Sequence, residues 1–486
     1  MKLWDFERYR QRIAVITDSG EKYRYKDIYE LQKTLSQRID TKSLVYIITT
    51  NDMGSVIGYL ACLINHCVPI LVSANTKKES VYTMLESYMP EYIWNSKDDN
   101  KSSAYAAMGY KSVFSFLSYE LWERVEKCVQ KLHPELALLL PTSGSSGNPK
   151  LVRLSRNNIE ENTKSICEYL KLTENERAVT SLPMSYTYGL SVINTFLHVG
   201  ASIYLTDKSV CQKQFWNNVK KQGVTFFAGV PYTYEMMKKI HVGESALETL
   251  RKLTQAGGKL ANEQQLFWGE FAQRTGKEFY IMYGQTEATA RISYLPPKDC
   301  LRKIGSVGIA IPGCKVRIMA SENGNECLIY ESGEIVCIGR NVSMGYARER
   351  RDLQLGDENK GILYTGDMGY MDEKGYLYIS GRKSRFAKIY GKRIDLAYLE
   401  RQMEKEMGTQ VVILSDDEKI YLYLEDVELG KMGVKYLQKK TGLYANVFEI
   451  RPMEELPRNE YGKVQYIKFC NESEEIEYEK CSHNKK

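Results

Sequence analysis

The chain has 486 residues, of which 43% are hydrophobic and 26% are charged. This balance supports large buried cores and excludes a wholly disordered chain. The length exceeds that of one ordinary domain of roughly 100–200 residues, so we expect two to four folded units. A net charge of +6 is small for this length, and it argues against a nucleic-acid partner.

The cysteines and the N-terminal residues indicate the cellular compartment to expect for this protein. The sequence holds 11 cysteines and five histidines without a CxxC pair or the spacing of a zinc site. Residues 1–8 are charged where a signal peptide is apolar, and no stretch reaches the roughly 18 apolar residues of a spanning helix. We therefore expect a cytoplasmic protein with reduced thiols and no membrane span.

The first part of the chain alternates strand-like and helix-like segments. Residues 43–49 predict a buried strand, residues 55–64 a helix and residues 68–72 a second strand. The same order recurs at 178–205 and at 224–240. Repeated strand–helix–strand order favours parallel sheets covered by helices, so the predicted fold class is α/β.

The composition changes near residue 380. A turn-rich stretch with regularly placed glycines is followed by a predicted helix at 395–407 and predicted strands at 410–414 and 419–424. We predict a large N-terminal domain of layered βαβ subdomains at 1–380 and a small α+β C-terminal domain at 381–470. A hinge near 381–385 joins them, and a charged tail at 471–486 is expected to be flexible.

One segment has the composition of a phosphate-binding loop. Apolar residues 138–140 lead into the sequence PTSGSSGNPK at 141–150. Glycines let backbone N–H groups turn toward a ligand, hydroxyls add donors, and Lys150 adds a positive charge. The pattern differs from the Walker loop because the lysine follows a proline and no Ser or Thr comes after it. The alternative is a flexible surface turn.

Further motifs follow in the chain. In YGQTE at 283–287 an aromatic face can stack on a base and the carboxylate of Glu287 can bind a magnesium ion. The carboxylate of Asp367, in YTGD at 364–367, has two acceptor oxygens to match two hydroxyls. Each motif alone also suits a strand end or a solvated loop.

Together with the turn at Gly257–Gly258, the basic stretch 381–395 and the late sequence LPRNEYGK at 456–463, these motifs resemble the adenylate-forming, AMP-binding superfamily. This superfamily includes acyl-CoA synthetases, adenylation domains of peptide synthetases and D-alanine–carrier protein ligases. The chain departs from the usual pattern at four positions: Leu151 for glycine, Arg156 for histidine, Ser384 for the aspartate or lysine at the hinge, and Asn459 for threonine.

The resemblance implies a site for ATP and Mg²⁺. Tyr283 is expected to pack on adenine, Thr286 to meet the α-phosphate and Glu287 to bind the metal, with Lys463 as the catalytic lysine and Ser384 at the hinge. Thr286 and Glu287 are assigned to catalysis with Lys463. The residues expected to contact ATP or AMP are Thr142, Ser143, Gly144, Ser145, Ser146, Gly147, Lys150, Gly257, Gly258, Tyr283, Thr286, Asp367, Arg382 and Lys463.

The implied activity is that of an ATP-dependent acid–thiol ligase. Such an enzyme forms an acyl adenylate and pyrophosphate, then passes the acyl group to a thiol, here expected to be coenzyme A. Rotation about the hinge is expected to withdraw Lys463 before the second step. Two alternatives are a ligase that loads the phosphopantetheine arm of a carrier protein and a degenerate nucleotide-binding scaffold.

The expected acid partner is a small-molecule carboxylic acid. Residues 182–196 contain no Asp or Glu, so an α-amino acid is disfavoured because its ammonium group would lack a counter-ion in a dry pocket. The segment is similar to the acyl-CoA synthetase version and favours a fatty, aryl or other simple acid. The acyl-pocket candidates are Tyr186, Tyr188, Gly229 and Gly257, although both tyrosines also suit a packed core.

Overall fold

The structure is a computed structural model that describes residues 3–97, 102–126, 128, 130–141, 150–320, 324–383, 386–390, 392–416, 418–458, 464 and 469. It divides into two compact units. The first unit comprises Met1–Val316 and Cys337–Leu363, and the second comprises Arg317–Val336 and Tyr364–Lys486. The chain therefore crosses between the units three times.

The first unit contains two large sheets and their covering helices. Its helices are α1 Tyr25–Ser36, α2 Met53–Ile64, α3 Lys78–Tyr88, α4 Ser102–Ala107, α5 Arg156–Tyr169, α6 Thr187–His198, α7 Lys213–Lys221, α8 Pro231–Lys239 and α9 Asn262–Thr275. Its strands are β1 Ile13–Ile16, β2 Lys22–Arg24, β3 Leu44–Thr49, β4 Val68–Ser73, β5 Tyr92–Ser96, β6 Tyr110–Phe116, β7 Tyr119–Arg124, β8 Leu136–Pro141, β9 Leu151–Ser155, β10 Arg177–Val179, β11 Ser202–Tyr204, β12 Phe226–Gly229, β13 Lys252–Gln255, β14 Glu278–Tyr283, β15 Ser293–Leu295, β16 Ser306–Ala310 and, further along the chain, β19 Gly345–Ala347.

One sheet of this unit runs in the order β16-β15-β14-β13-β12-β10-β11-β1-β2, and the other in the order β19-β9-β8-β4-β3-β5-β7-β6. Strands β10 to β14 of the first sheet and β3, β4, β5 and β8 of the second pair in parallel. All six residues of β3 are buried, as expected for a parallel strand covered on both faces. One cluster of buried side chains includes residues of both sheets and of α2, α5 and α6.

The second unit is a smaller α+β structure. It contains helices α10 Leu396–Met407 and α11 Val427–Thr441 and strands β21 Leu377–Arg382, β22 Phe386–Ile389, β23 Lys392–Asp395, β24 Val412–Ser415, β25 Ile420–Leu424 and β26 Phe448–Pro452. Strands β17 Cys314–Met319, β18 Gly333–Gly339 and β20 Ile362–Met371 contain the points where the chain changes unit. Helix α10 begins after Asp395, whose side chain accepts a hydrogen bond from the backbone N–H of Tyr398.

The predicted α/β class is confirmed, and most of the predicted strands and helices lie within a few residues of the observed ones. The segment 224–240 contains only the strand β12 and the helix α8, and the next strand, β13, begins at residue 252 because a 3-10 turn at 244–247 comes first. Residues 317–336 and 364–380 are grouped with the second unit. The domain boundary predicted near residue 380 stays a prediction. Within the described residues, no helix is long and apolar enough to cross a membrane. The hinge residue Ser384 and the tail 471–486 lie outside the described residues, so both stay predictions.

Candidate active site

The carboxyl end of β14 places the YGQTE motif next to the first turn of α6. Strand β14 ends at Tyr283, and Thr286 begins a short 3-10 turn. The hydroxyl oxygens of Thr286 and Thr187 lie 2.9 Å apart and share a hydrogen bond. Gly284 is required here because a Cβ atom at this position would lie 2.0 Å from the carbonyl oxygen of Ala290.

Glu287, in the same turn, contacts the side chain of Tyr346. The Tyr346 hydroxyl donates a 2.7 Å hydrogen bond to Oε1 of Glu287. On the other side, the Nζ of Lys150 lies 3.7 Å from the centroid of the Tyr346 ring, within the range of a cation–π interaction. Tyr346 thus brings Lys150, the last residue of the predicted phosphate loop, close to Glu287. Thr142, Ser143, Gly144, Ser145, Ser146 and Gly147 lie outside the described residues.

A fully buried arginine holds the segment that carries Tyr346. Arg153, in β9, has a side chain with 0% exposure. Its guanidinium donates to the backbone carbonyls of residues 344, 346, 355 and 356 and to the carboxylate of Glu358. Strand β19 also pairs with β9, with Gly345 opposite Arg153. The position of Tyr346 is therefore fixed by both backbone pairing and a charged side chain.

Three of the four acyl-pocket candidates, Tyr186, Tyr188 and Gly257, lie close together. The Tyr188 hydroxyl donates to the carbonyl of Thr254 at 2.8 Å, and its ring centroid lies 6.3 Å from that of Tyr186. Burial raises the pKa of both tyrosine hydroxyls, so each is neutral near pH 7. Gly257 has φ +85°, and a Cβ atom there would lie 2.2 Å from the Tyr186 hydroxyl oxygen.

The remaining candidates in the first unit lie at the same edge of the parallel sheet. Gly229 ends β12, and its carbonyl accepts a hydrogen bond from Ala256 N–H. The carbonyl of Gly258 accepts a hydrogen bond from the Gln255 side-chain amide at 2.9 Å. Tyr283 is buried at the end of β14, which pairs with β13. In open α/β sheets this carboxyl edge is where ligands bind.

Two candidates lie on the second unit. Asp367 is 5% exposed, and its Oδ1 lies 2.8 Å from the Nε of Arg382. The Asp367 backbone N–H donates to the Thr365 hydroxyl, which itself donates to the carbonyl of Ile335. The structure therefore pairs two of the residues that the sequence predicts to contact ATP or AMP. Lys463 lies outside the described residues.

Sequence reasoning missed three residues of this region: Thr187, Tyr346 and Arg291. Thr187 lies within the quoted pocket segment, next to two residues that were selected. Tyr346 and Arg291 belong to none of the motifs used, so only their spatial contacts identify them. Arg291 is 3% exposed, and its guanidinium carbon lies 4.1 Å from the Tyr188 ring centroid.

The residues around Glu287 fit a magnesium ion. Magnesium is usually held by one or two carboxylates together with water and substrate phosphates. Glu287 supplies one partly exposed carboxylate, and the described residues contain no cluster of three or more His, Cys, Asp or Glu that would form an all-protein cage. Glu287 would hold the ion, with Lys150 as a nearby positive charge.

The sequence is similar to those of known CoA ligases. The chain is 30% identical over 369 residues to the indoleacetate–CoA ligase of Aromatoleum aromaticum, covering 72% of this chain and 71% of the relative. It is 24% identical over 471 residues to the 2-succinylbenzoate–CoA ligase of Bacillus velezensis, covering 93% and 94% of the two chains.

A solved structure, that of ATP-bound MatB from Rhodopseudomonas palustris, superposes with a TM-score of 0.79 at 20% identity, covering 98% of this chain and 100% of the other. At this identity the likeness concerns the fold. The family model described as "AMP-binding enzyme" matches residues 4–347, which contain the site built from Lys150, Thr187, Thr286, Glu287 and Tyr346. The chain therefore belongs to the AMP-binding enzyme family, and its activity is that of an ATP-dependent, acyl-adenylate-forming ligase.

Proposed function

We propose that this enzyme joins a small-molecule carboxylic acid to AMP, releases pyrophosphate and then transfers the acyl group to the thiol of coenzyme A. The proposal is carried by one observation, the contact of Thr286 and Glu287 with Thr187 and Tyr346 beside Lys150. The CoA-ligase names of the relatives support the choice of acceptor.

The first step forms a bond between a carboxylate oxygen and the α-phosphorus of ATP and breaks the bond to pyrophosphate. No general base is needed because the acid is already ionised near pH 7. Negative charge approaches negative charge, so catalysis depends on positioning and charge stabilisation. Lys150 and Lys463 supply positive charge, and the Thr286 hydroxyl supplies a donor. A magnesium ion held by Glu287 would neutralise phosphate charge.

We place the acyl group of the substrate next to Tyr186 and Tyr188. Tyr186 and Tyr188 are neutral and closely packed, and Gly257 leaves the space that the Tyr186 hydroxyl occupies. We assign these residues and Gly229 to the acyl pocket. Asp367 is assigned to the ribose, Arg382 to the ribose or phosphate, and Tyr283 to the adenine. The turn at Gly257 and Gly258 is assigned to the lining of the adenine and acyl pockets.

We place the enzyme in the cytoplasm. The nine cysteines of the described residues are all free thiols, which supports a reducing compartment. A phosphopantetheine arm presents the same thiol as coenzyme A, so a carrier protein remains the alternative acceptor.

The test is pyrophosphate release over a panel of carboxylic acids, with coenzyme A, carrier protein or hydroxylamine as acceptor. We expect acid-dependent release of pyrophosphate and a thioester with coenzyme A. A thioester with carrier protein alone would select the alternative ligase. If no acid causes release of pyrophosphate, the alternative of a degenerate nucleotide-binding scaffold is favoured.

Glu287→Gln is expected to raise the magnesium concentration needed for half-maximal pyrophosphate release on the order of tenfold, because a neutral amide binds the ion less tightly than a carboxylate. The measurement is a magnesium titration at saturating ATP. Glu278→Gln is the matched control, since this glutamate lies at the opposite end of β14 and is 43% exposed. An unchanged magnesium requirement in Glu287→Gln would remove Glu287 from the metal site.

Gly257→Ala is expected to lower kcat/KM for the best acid on the order of 10-fold to 100-fold, because the added methyl displaces the Tyr186 side chain. The positive φ of this position also costs about 1–2 kcal/mol of folding stability. The double variant Gly257→Ala/Tyr186→Phe lacks the hydroxyl that the methyl meets, so it should regain part of the activity.

The Gly276→Ala variant separates the cost of backbone strain from the displacement of the Tyr186 side chain. Gly276 has φ +66° at the end of α9, and a Cβ atom there meets nothing within 4 Å. We expect a similar loss of stability with unchanged kcat/KM. Equal activity losses in Gly276→Ala and Gly257→Ala would show that backbone strain, and not the pocket, causes the defect.

A further inference from the structure

Arg291 is a buried cation beside the acyl pocket. It follows the YGQTE turn, is 3% exposed, and stacks its guanidinium on the ring of Tyr188. Its Nε donates to the sulfur of Met282 at 3.4 Å, and its Nη atoms donate to the Ala290 carbonyl at 3.1 Å and to the Ser191 hydroxyl at 3.4 Å. The hydroxyl of Tyr169 also interacts with it. All of these partners are uncharged.

Other deeply buried arginines of the first unit have a carboxylate partner. Arg153 pairs with Glu358, and Arg350, also 3% exposed, pairs with Glu91. Among the described residues, no carboxylate forms an ion pair with Arg291. A buried charge is costly unless it is paired, so the protein maintains an uncompensated cation at this position.

The position of Arg291 connects it to the acyl pocket through Tyr188. The Tyr188 ring contacts both the Arg291 guanidinium and the Tyr186 ring, and the Tyr186 hydroxyl occupies the space where a Cβ atom of residue 257 would lie. The positive charge partly offsets the effect of burial on the pKa of both tyrosine hydroxyls, so both hydroxyls lie within its field. Ser191, which accepts from Arg291, lies on α6 one turn after Thr187.

We propose that the acid activated by this enzyme is a dicarboxylic acid, whose second carboxylate pairs with Arg291 while the first is presented to ATP at Thr286. The proposal rests on the proposed function and assigns its substrate class. The substrate supplies the counter-ion that the described protein residues do not. A monocarboxylic acid of the same length leaves the guanidinium buried and unpaired, so it binds less tightly.

The test uses acids that differ only at the far end: succinate against butyrate and glutarate against valerate. Pyrophosphate release is measured with the wild-type chain and with the Arg291→Met and Arg291→Lys variants. We expect the wild-type enzyme to prefer one of the diacids over its monoacid partner on the order of 100-fold in kcat/KM. Arg291→Met should abolish this preference and spare or raise the activity with the monoacid, and Arg291→Lys should keep part of it.

A purely structural role for Arg291 predicts a different pattern. Arg291→Met would then lower the activity with diacid and monoacid by the same factor, and that result would overturn the proposal. Equal wild-type activity with the two classes would also overturn it while leaving the ligase activity intact. Absence of pyrophosphate with every acid would instead reject the proposed function and, with it, this assignment.

A second measurement applies if Arg291→Met does not fold. The melting temperature of the wild-type protein is recorded with AMP plus each acid. Succinate or glutarate should raise it more than butyrate or valerate does. Equal shifts for both classes would overturn the proposal without use of a variant.

Discussion

Lys463→Ala is expected to lower the rate of acyl-adenylate formation on the order of 10²–10³-fold, the loss typical of one removed charge-stabilising donor. The carboxylate and the α-phosphate both carry negative charge, and the assigned role of Lys463 is to lie between them in the transition state. Transfer of the acyl group from a ready-made adenylate to coenzyme A does not involve this charge, so the second step should be largely spared.

The two half-reactions are measured separately. Pyrophosphate release reports the first step, and thioester formation from a synthetic acyl adenylate reports the second. Lys431→Ala is the matched control, because Lys431 lies in α11, is 61% exposed and forms an ion pair with Glu428 on the same helix. Equal loss of both steps in Lys463→Ala would contradict its assignment to adenylation alone.

Arg153→Met is expected to destabilise the first unit by about 3–5 kcal/mol, because several hydrogen bonds from a charged group are lost and each typically contributes about 1.5–3 kcal/mol. The substitution keeps an apolar stem of similar length, but it removes the hydrogen bonds from the guanidinium to the backbone carbonyls of residues 344, 346, 355 and 356. The loss of the Glu358 pair adds less, since the Glu358 side chain is 55% exposed and water replaces its partner. Activity should fall as well, because the same segment carries Tyr346.

Unfolding in denaturant is monitored by tryptophan fluorescence. This signal reports on the first unit, which contains all five tryptophans of the chain. Arg351→Met, in the same segment, is the control: Arg351 is 75% exposed, and its loss should change the unfolding free energy by less than about 0.5 kcal/mol. Arg153→Lys should lie between the two because a lysine replaces only some of the hydrogen bonds. A midpoint for Arg153→Met equal to that of Arg351→Met would contradict the supporting role.

Local sequence signals were enough for the secondary structure and for the contiguous motifs. Strand β3 was predictable because its apolar, largely β-branched run has no polar face to present to water. Thr286 and Glu287 were identified within one pentapeptide. Their partners were not, because Thr187 and Tyr346 lie 99 and 59 residues away and contact them only in the folded chain.

Two other features, the burial of two arginines and the pairing of distant strands, are not indicated by the local sequence. Arginine side chains are usually exposed, and the residues next to Arg291 and Arg153 in the sequence do not indicate that these two side chains are buried. The domain boundary predicted near residue 380 rests on a glycine-rich composition, which marks turns, whereas membership of a sheet depends on pairing between distant strands. Strand β18 is separated from its neighbour β20 by β19 and a 3-10 turn, so no local pattern joins the two strands.

This order of strands has a consequence for synthesis of the chain. The ribosome delivers residues 317–336 before β20 and β21 exist, and chains fold from the N-terminal side as they emerge. The edge of β18 that later pairs with β20 therefore stays exposed until the next strands are made. An unpaired edge is a template for another chain. A product released early, for example after residue 363, would retain that open edge and would be prone to associate with copies of itself.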